Sequence, residues 1–209
     1  MRLFTAVYPS PEASAHLDLA LASVGGPAVA DPGAGLRWVP KEQRHVTLVF
    51  HGEVPDGAVP EYVDALAPVV AEAQPFDVVL AGGGSFSGRT LWVGLAAGVP
   101  GLAALAAAAE DAADEAGFRA DDRTGGRPHL TLARTAASPV PGVRRGRRPR
   151  RSDDAARVEG WGAALTVYRG PAWTVAAVHV VASELGAGRS GGPLHHDVAV
   201  LPLGRTLGA

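Results

Sequence analysis

The 209-residue chain is 47% hydrophobic and 19% charged, with a formal net charge of −2. That is a globular composition, long enough for one generous domain or two lobes sharing a core, and its overall field gives nucleic acid no general attraction; any basic surface must be local. It contains no cysteine, which excludes disulfides, thiolate metal sites and a cysteine nucleophile, and fits a reducing cytoplasm.

The opening MRLFTAVYPS lacks the apolar run and small-residue cleavage site of a secretory leader. Its residues 2–8 are rich in β-branched and aromatic side chains and predict a first strand. Pro9, Ser10 and Pro11 punctuate it, with Ser10 suited to cap a helix and Pro11 to open one. Gly and Pro mark 25–35 as a loop. LRWVP is a short extended segment, and HVTLVFHGEV alternates as a strand. Residues 57–73 read as a helix with Pro60 near its start and Pro68 inside it. FDVVLAGGGSFSGRTLWVGL reads as strand, Gly-rich turn, strand; its glycines fit a hairpin or bulge better than a phosphate cradle.

Residues 100–116 form the clearest helix, opening at Pro100 and ending at Gly117. The alanine-rich run 102–116 is broken by Glu110, Asp111, Asp114 and Glu115, and no stretch approaches the roughly 20 apolar residues of a membrane span. RPHLTLAR supplies another strand, and the basic stretch SPVPGVRRGRRPRRS leads to a helix near 153–167. AWTVAAVHVVASEL reads as one strong β-run, and LHHDVAVLPL as the closing strand. This order predicts an α+β fold with mostly antiparallel pairing.

Two strands repeat a pattern: His45-Val46-Thr47-Leu48 and His129-Leu130-Thr131-Leu132. On a strand, residues two apart share a face. His45 and Thr47 project together while Val46, Leu48 and Phe50 project into a core; His129 and Thr131 behave likewise, opposite Leu130 and Leu132. Two such strands facing one cleft offer two imidazoles and two hydroxyls, a set suited to cleaving a phosphodiester without a metal. One neutral imidazole takes a proton from water while a second, protonated, gives one to the leaving oxygen. Histidine, with a pKa of about 6.5, serves both roles near neutrality. Thr47 and Thr131 can donate to non-bridging oxygens, and an arginine can neutralise their charge. Arg134 closes the second motif, but strict alternation puts it on the face opposite His129, so it reaches the site only if the strand bends or ends there.

The other histidines read more plainly. His16, His51 and His179 are ordinary surface or core residues. Of the adjacent His195 and His196 at most one can face a cleft. A zinc site drawn from His45, His129, His179 and the 195–196 pair lacks any tight ligand pattern. The arginines of 144–151 suit a solvated loop or a grip on RNA. Phe86 and Trp92 suit core packing or a stacked base.

With both motifs in view, the sequence resembles the 2H phosphoesterase superfamily, and within it the bacterial RNA 2′,3′-cyclic phosphodiesterases, or LigT-like 2′-5′ RNA ligases. LRWVPKEQRHVTLVFHGEV, GGGSFSGRTLWVGL, RPHLTLAR and YRGPAWTVAAVHVVASEL carry the likeness. The resemblance implies two pseudo-symmetric lobes with antiparallel sheets flanking a central cleft, intertwined within a single domain over 1–209. It implies His45 as general acid, His129 as general base, Thr47 and Thr131 as phosphate holders and Arg134 as a phosphate-binding arginine. It further implies hydrolysis of RNA 2′,3′-cyclic phosphate ends to 2′-phosphomonoesters with no cofactor or metal, with reversible 2′-5′ ligation in some members. Where relatives often carry a tyrosine before the last strand, this chain has Leu194-His195-His196, so base stacking there is lost or passes to His195. A cytoplasmic monomer acting on RNA ends is the expectation. Its rivals are a phosphodiesterase for a small cyclic or 2′-5′-linked nucleotide, and a non-catalytic nucleotide-binding module.

Overall fold

A computed structural model describes residues 1–24, 36–119, 127–135, 151–188 and 192–204, the side chains of 151–154 excepted. The elements follow in chain order as β1 (Arg2–Val7), α1 (Pro11–Ser23), β2 (Leu36–Trp38), β3 (Val46–Glu53), α2 (Val59–Glu72), β4 (Phe76–Phe86) and β5 (Thr90–Ala97). They continue as α3 (Val99–Glu115), β6 (Leu130–Thr135), α4 (Arg151–Ala164), β7 (Arg169–Val175), β8 (Ala177–Glu184) and β9 (Leu194–Pro202). Local chemistry sets several boundaries. The Ser10 hydroxyl accepts the Ala13 amide at 3.2 Å and Pro11 occupies the first turn of α1. Helix α2 tolerates Pro68 because packing fixes it, burying Tyr62, Leu66 and Val70 on successive turns.

The strands form one antiparallel sheet in the order β7-β4-β5-β6-β3-β1-β8-β9, with β2 beside β6. It divides into a half of β7, β4, β5, β6 and β2 and a half of β3, β1, β8 and β9, joined where β3 meets β6 through the pair Val46–Leu130. Each half places its His-x-Thr strand innermost, so the topology itself brings the two motifs together. All four helices pack on one side of the sheet, where Leu17, Tyr62, Leu102 and Val158 meet inward strand residues such as Leu3, Val49, Val93 and Leu130 in one core. The opposite side carries a small cluster of Phe4, Ala6 and Val181, with Tyr8 and Phe50 against it; this is the cleft face. Among the described residues no helix is long and apolar enough to cross a membrane.

The run AWTVAAVHVVASEL is two strands. It breaks at Ala176, whose carbonyl accepts the Leu203 amide at 2.9 Å. On one side β7 pairs with β4 at the edge of one half; on the other, β8 pairs with β1 in the second half. Strand propensity does not name a partner, so a crossing between halves is invisible in composition. The helix predicted over 153–167 runs from Arg151 to Ala164. The arginines of 144–150 lie outside the described residues.

Candidate functional site

Each motif strand carries the same irregularity. In β3, Ala6 of β1 pairs with Thr47 and Thr5 with Val49, leaving Leu48 as an extra residue. In β6, Trp92 pairs with Thr131 and Leu91 with Ala133, leaving Leu132 extra. Both extra leucines are buried in the core. A β-bulge advances the side-chain alternation by one residue, and this corrects two readings based on strict alternation. Phe50 is not a core residue beside Val46; it lies on the cleft face with Phe4, under the Arg2 guanidinium at 4.8 Å from the ring centre. Arg134, three residues after Thr131 as Phe50 is after Thr47, is turned to the cleft face as well. Its charge acts on both His45 and His195.

His45 and His129 sit just ahead of their strands and are held alike. Nδ1 of His45 donates to the Gln43 carbonyl at 2.8 Å, and Nδ1 of His129 to the Arg127 carbonyl at 3.0 Å. A carbonyl only accepts, so the hydrogen of each neutral ring resides on Nδ1 and Nε2 keeps its lone pair. Their surroundings differ. His45 stacks on Phe4 (centroids 4.6 Å apart) and meets Tyr8 and His195 edge-on. Burial pushes its pKa down to about 4, opposed by the bond to Gln43 and reinforced by the charges of His195, Arg134 and His129. His129 is half-buried and meets the Phe86 ring edge-on at 4.8 Å.

Phe86 stacks in turn on Trp92 at 5.2 Å. Trp92 lies flat over Gly84, where a Cβ would stand 2.4 Å from the indole. Gly83 admits the end of α4, since a Cβ there would stand 3.2 Å from the Gly162 carbonyl oxygen and run into Leu165 just past the helix. The hairpin and bulge the sequence suggests are present, but Gly82, Gly83 and Gly84 lie inside β4, with the register shift at Gly82 and the turn at Ser87 and Gly88, so the cluster serves close packing and not the turn. Thr47 is exposed and Thr131 half-buried, each on the cleft face with its histidine. A cavity of about 280 Å³ opens between α3 and the motif strands, lined by Thr47, Phe50, Ala106, Arg127 and His129 among others.

His195 is the member of its pair that faces the cleft. It is 5.0 Å from Phe4 and 5.5 Å from His45, with Nδ1 buried and unpartnered. Burial and the Arg134 charge lower its pKa. His196 points to the other side, 3.8 Å from Glu184. His179, read from sequence as an ordinary residue, pairs its Nδ1 with Asp197 at 3.0 Å and meets Tyr8 edge-on. Burial, then the Asp197 charge, raises the Tyr8 hydroxyl to about 12. Sequence reasoning passed over Phe4, Tyr8 and Asp197. Their only signal is alternation within β1 and β9, and which face meets the cleft depends on pairing across the sheet. Among the described residues no three histidine or carboxylate side chains converge as metal ligands.

Residues 12–169 match the sequence profile of the 2′-5′ RNA ligase superfamily. Over 100 residues, 46% of this chain, the sequence is 39% identical to a Geobacillus stearothermophilus RNA 2′,3′-cyclic phosphodiesterase; the match spans about a third of that relative, 32% of its length. The fold is similar to a solved structure from Thermus thermophilus at 27% identity, with a TM-score of 0.70 over 98% of this chain and 99% of that one. It is also similar to E. coli LigT in its apo form, with a TM-score of 0.66 over 97% and 96% of the two chains; at 20% identity that likeness speaks to the fold alone. The profile match covers most of the chain, and the chain therefore belongs to the 2′-5′ RNA ligase superfamily, a 2H phosphoesterase lineage.

Proposed function

We propose that this protein is a cytoplasmic, monomeric phosphodiesterase that opens the 2′,3′-cyclic phosphate ends of RNA to 2′-phosphomonoesters without a metal ion. The observation that carries the reading is the matched pair of imidazoles, each with Nδ1 tied to a carbonyl and Nε2 left for chemistry, on strands that meet at Val46–Leu130. Family membership and the name of the Geobacillus relative support it.

In this reading Nε2 of His129 takes a proton from water as the water oxygen bonds to phosphorus. The bond from phosphorus to O3′ breaks, and His45 gives its Nε2 proton to O3′, leaving the phosphate on O2′. The hydroxyls of Thr47 and Thr131 donate to the non-bridging oxygens while Arg134 offsets their charge. Reversible ligation uses the same residues with an RNA 5′-hydroxyl in place of water. Phe86, 42% exposed above Trp92 and beside His129, offers that nucleoside a ring to stack on.

The test is turnover of an RNA bearing a 2′,3′-cyclic phosphate in EDTA. The wild type is expected to yield the 2′-phosphate, with His45→Ala and His129→Ala each about 10²- to 10⁴-fold slower. No turnover, or turnover indifferent to both substitutions, would leave a binding module or a different cyclic phosphate as the better reading.

A further inference from the structure

Strand β2 sets Arg37 directly opposite Arg134 of β6. Residues so paired share a face, with their Cβ atoms about 5 Å apart. The bulge at Leu132 that turns Arg134 to the cleft therefore commits Arg37 to the same side. One residue on, Trp38 goes to the helix side, against Trp161. Both arginines are exposed, and among the described residues neither forms an ion pair. Like charges directly opposite one another on a sheet are destabilising, and among the described residues no carboxylate pairs with either. Two guanidinium groups on one face, with no partner of opposite sign among the described residues, make a site for an anion.

We propose that Arg37 completes a second phosphate site, which takes the internucleotide phosphate on the 5′ side of the terminal nucleotide. This rests on the reading of the cleft as a cyclic-phosphate site. In such an RNA every phosphate other than the reacting one lies on the 5′ side of the terminal ribose, so a cation one strand beyond the reacting phosphate meets the RNA chain there. Arg134 is the arginine whose charge reaches His45 and His195; Arg37 stands next to it on β2. The consequence is selectivity: a cyclic-ended oligonucleotide engages both arginines, and a cyclic mononucleotide only Arg134.

The experiment compares kcat/KM for a 2′,3′-cyclic mononucleotide and for a dinucleotide ending in the same cyclic phosphate, using wild type, Arg37→Ser and Arg37→Lys at several salt concentrations. Arg37→Ser is expected to cost the dinucleotide roughly tenfold more than the mononucleotide, through KM, and to reduce its log–log salt slope by about 0.7. Arg37→Lys is expected to restore part of the loss. Equal losses on both substrates would place Arg37 on the reacting phosphate and overturn the second site, as would no loss on either. Should the wild type turn over neither substrate, the cyclic-phosphate reading itself fails. Binding of a plain-ended hexanucleotide RNA by fluorescence anisotropy then decides separately. Weaker binding by Arg37→Ser sustains the anion site, and equal binding removes it.

Discussion

His45 stacks on Phe4 beneath Tyr8 and His195, and removing its charged form from water is costly enough to bring its pKa to about 4. In the free protein at neutral pH it therefore lacks the proton that the proposed general-acid role requires. A phosphodiester anion beside it changes the balance: negative charge favours the imidazolium, so the pKa rises and binding draws a proton from solution. The sign follows from linkage. Between the free and bound pKa values the complex holds more protons than the free protein, so affinity weakens as pH rises through the bound value. A 2′-5′-linked dinucleotide, whose phosphodiester does not titrate in this range, tests this on the His129→Ala variant, whose turnover is expected to be slow enough for an equilibrium measurement. Calorimetry near pH 6 in buffers of different ionisation enthalpy should show uptake approaching one proton, and none when His45 is also changed to Gln. If the dinucleotide binds without proton uptake at His45, the proposed acid and base roles of the two histidines must be exchanged.

At the level of the strand, the two bulges decide what the cleft contains. Period-two alternation correctly puts Thr47 with His45 and Thr131 with His129, because each pair precedes its bulge. It fails for Phe50 and Arg134, which follow it, and it fails by one residue in both strands. Nothing in HVTLVF or HLTLAR marks the extra leucine. The bulge is set by pairing with β1 and β5, which lie far away in sequence. The glycines of β4 are more legible: a hairpin or bulge is written in them, though not that Gly84 is the bed of Trp92. Gly84→Ala should force the indole off the strand, costing about 1–3 kcal/mol in denaturant unfolding and shifting tryptophan fluorescence. An unchanged midpoint and spectrum would show that the hairpin absorbs the methyl group.

On the scale of the whole molecule, the helix-side core contains one titratable knot. Nε2 of His51 lies 3.1 Å from the Thr5 hydroxyl and 3.0 Å from the Tyr62 hydroxyl, which also bond to each other. Burial lowers the His51 pKa to about 4, against the opposing charge of Glu110. The fold thus prefers the neutral ring, and the unfolded chain takes the proton first. Stability is full above the unfolded pKa of about 6.5 and falls as pH drops from there toward 4. Denaturant unfolding at pH 5 should give roughly 2 kcal/mol less than at pH 7 from this residue alone. His51→Gln should flatten the dependence by that share; an undiminished slope would assign it elsewhere. The Val46–Leu130 contact is the other feature of this scale, since among the described residues it alone pairs the two halves of the sheet. Leu130→Ala, at a fully buried site, should cost about 2–5 kcal/mol.

The amino-acid sequence by itself determined most of the elements, the antiparallel α+β class and the two His-x-Thr pairs, because caps, turns and periodicity act over a few residues. The resemblance of the motifs supplied the family on the same local grounds. Only the tertiary structure decided that AWTVAAVHVVASEL divides between the two halves, that Arg134 and Arg37 share the cleft face, and that His195 rather than His196 stands beside His45. Those outcomes depend on which strand lies beside which and in what register. Register is fixed by the packing of the whole sheet against four helices, and no short stretch of chain contains it.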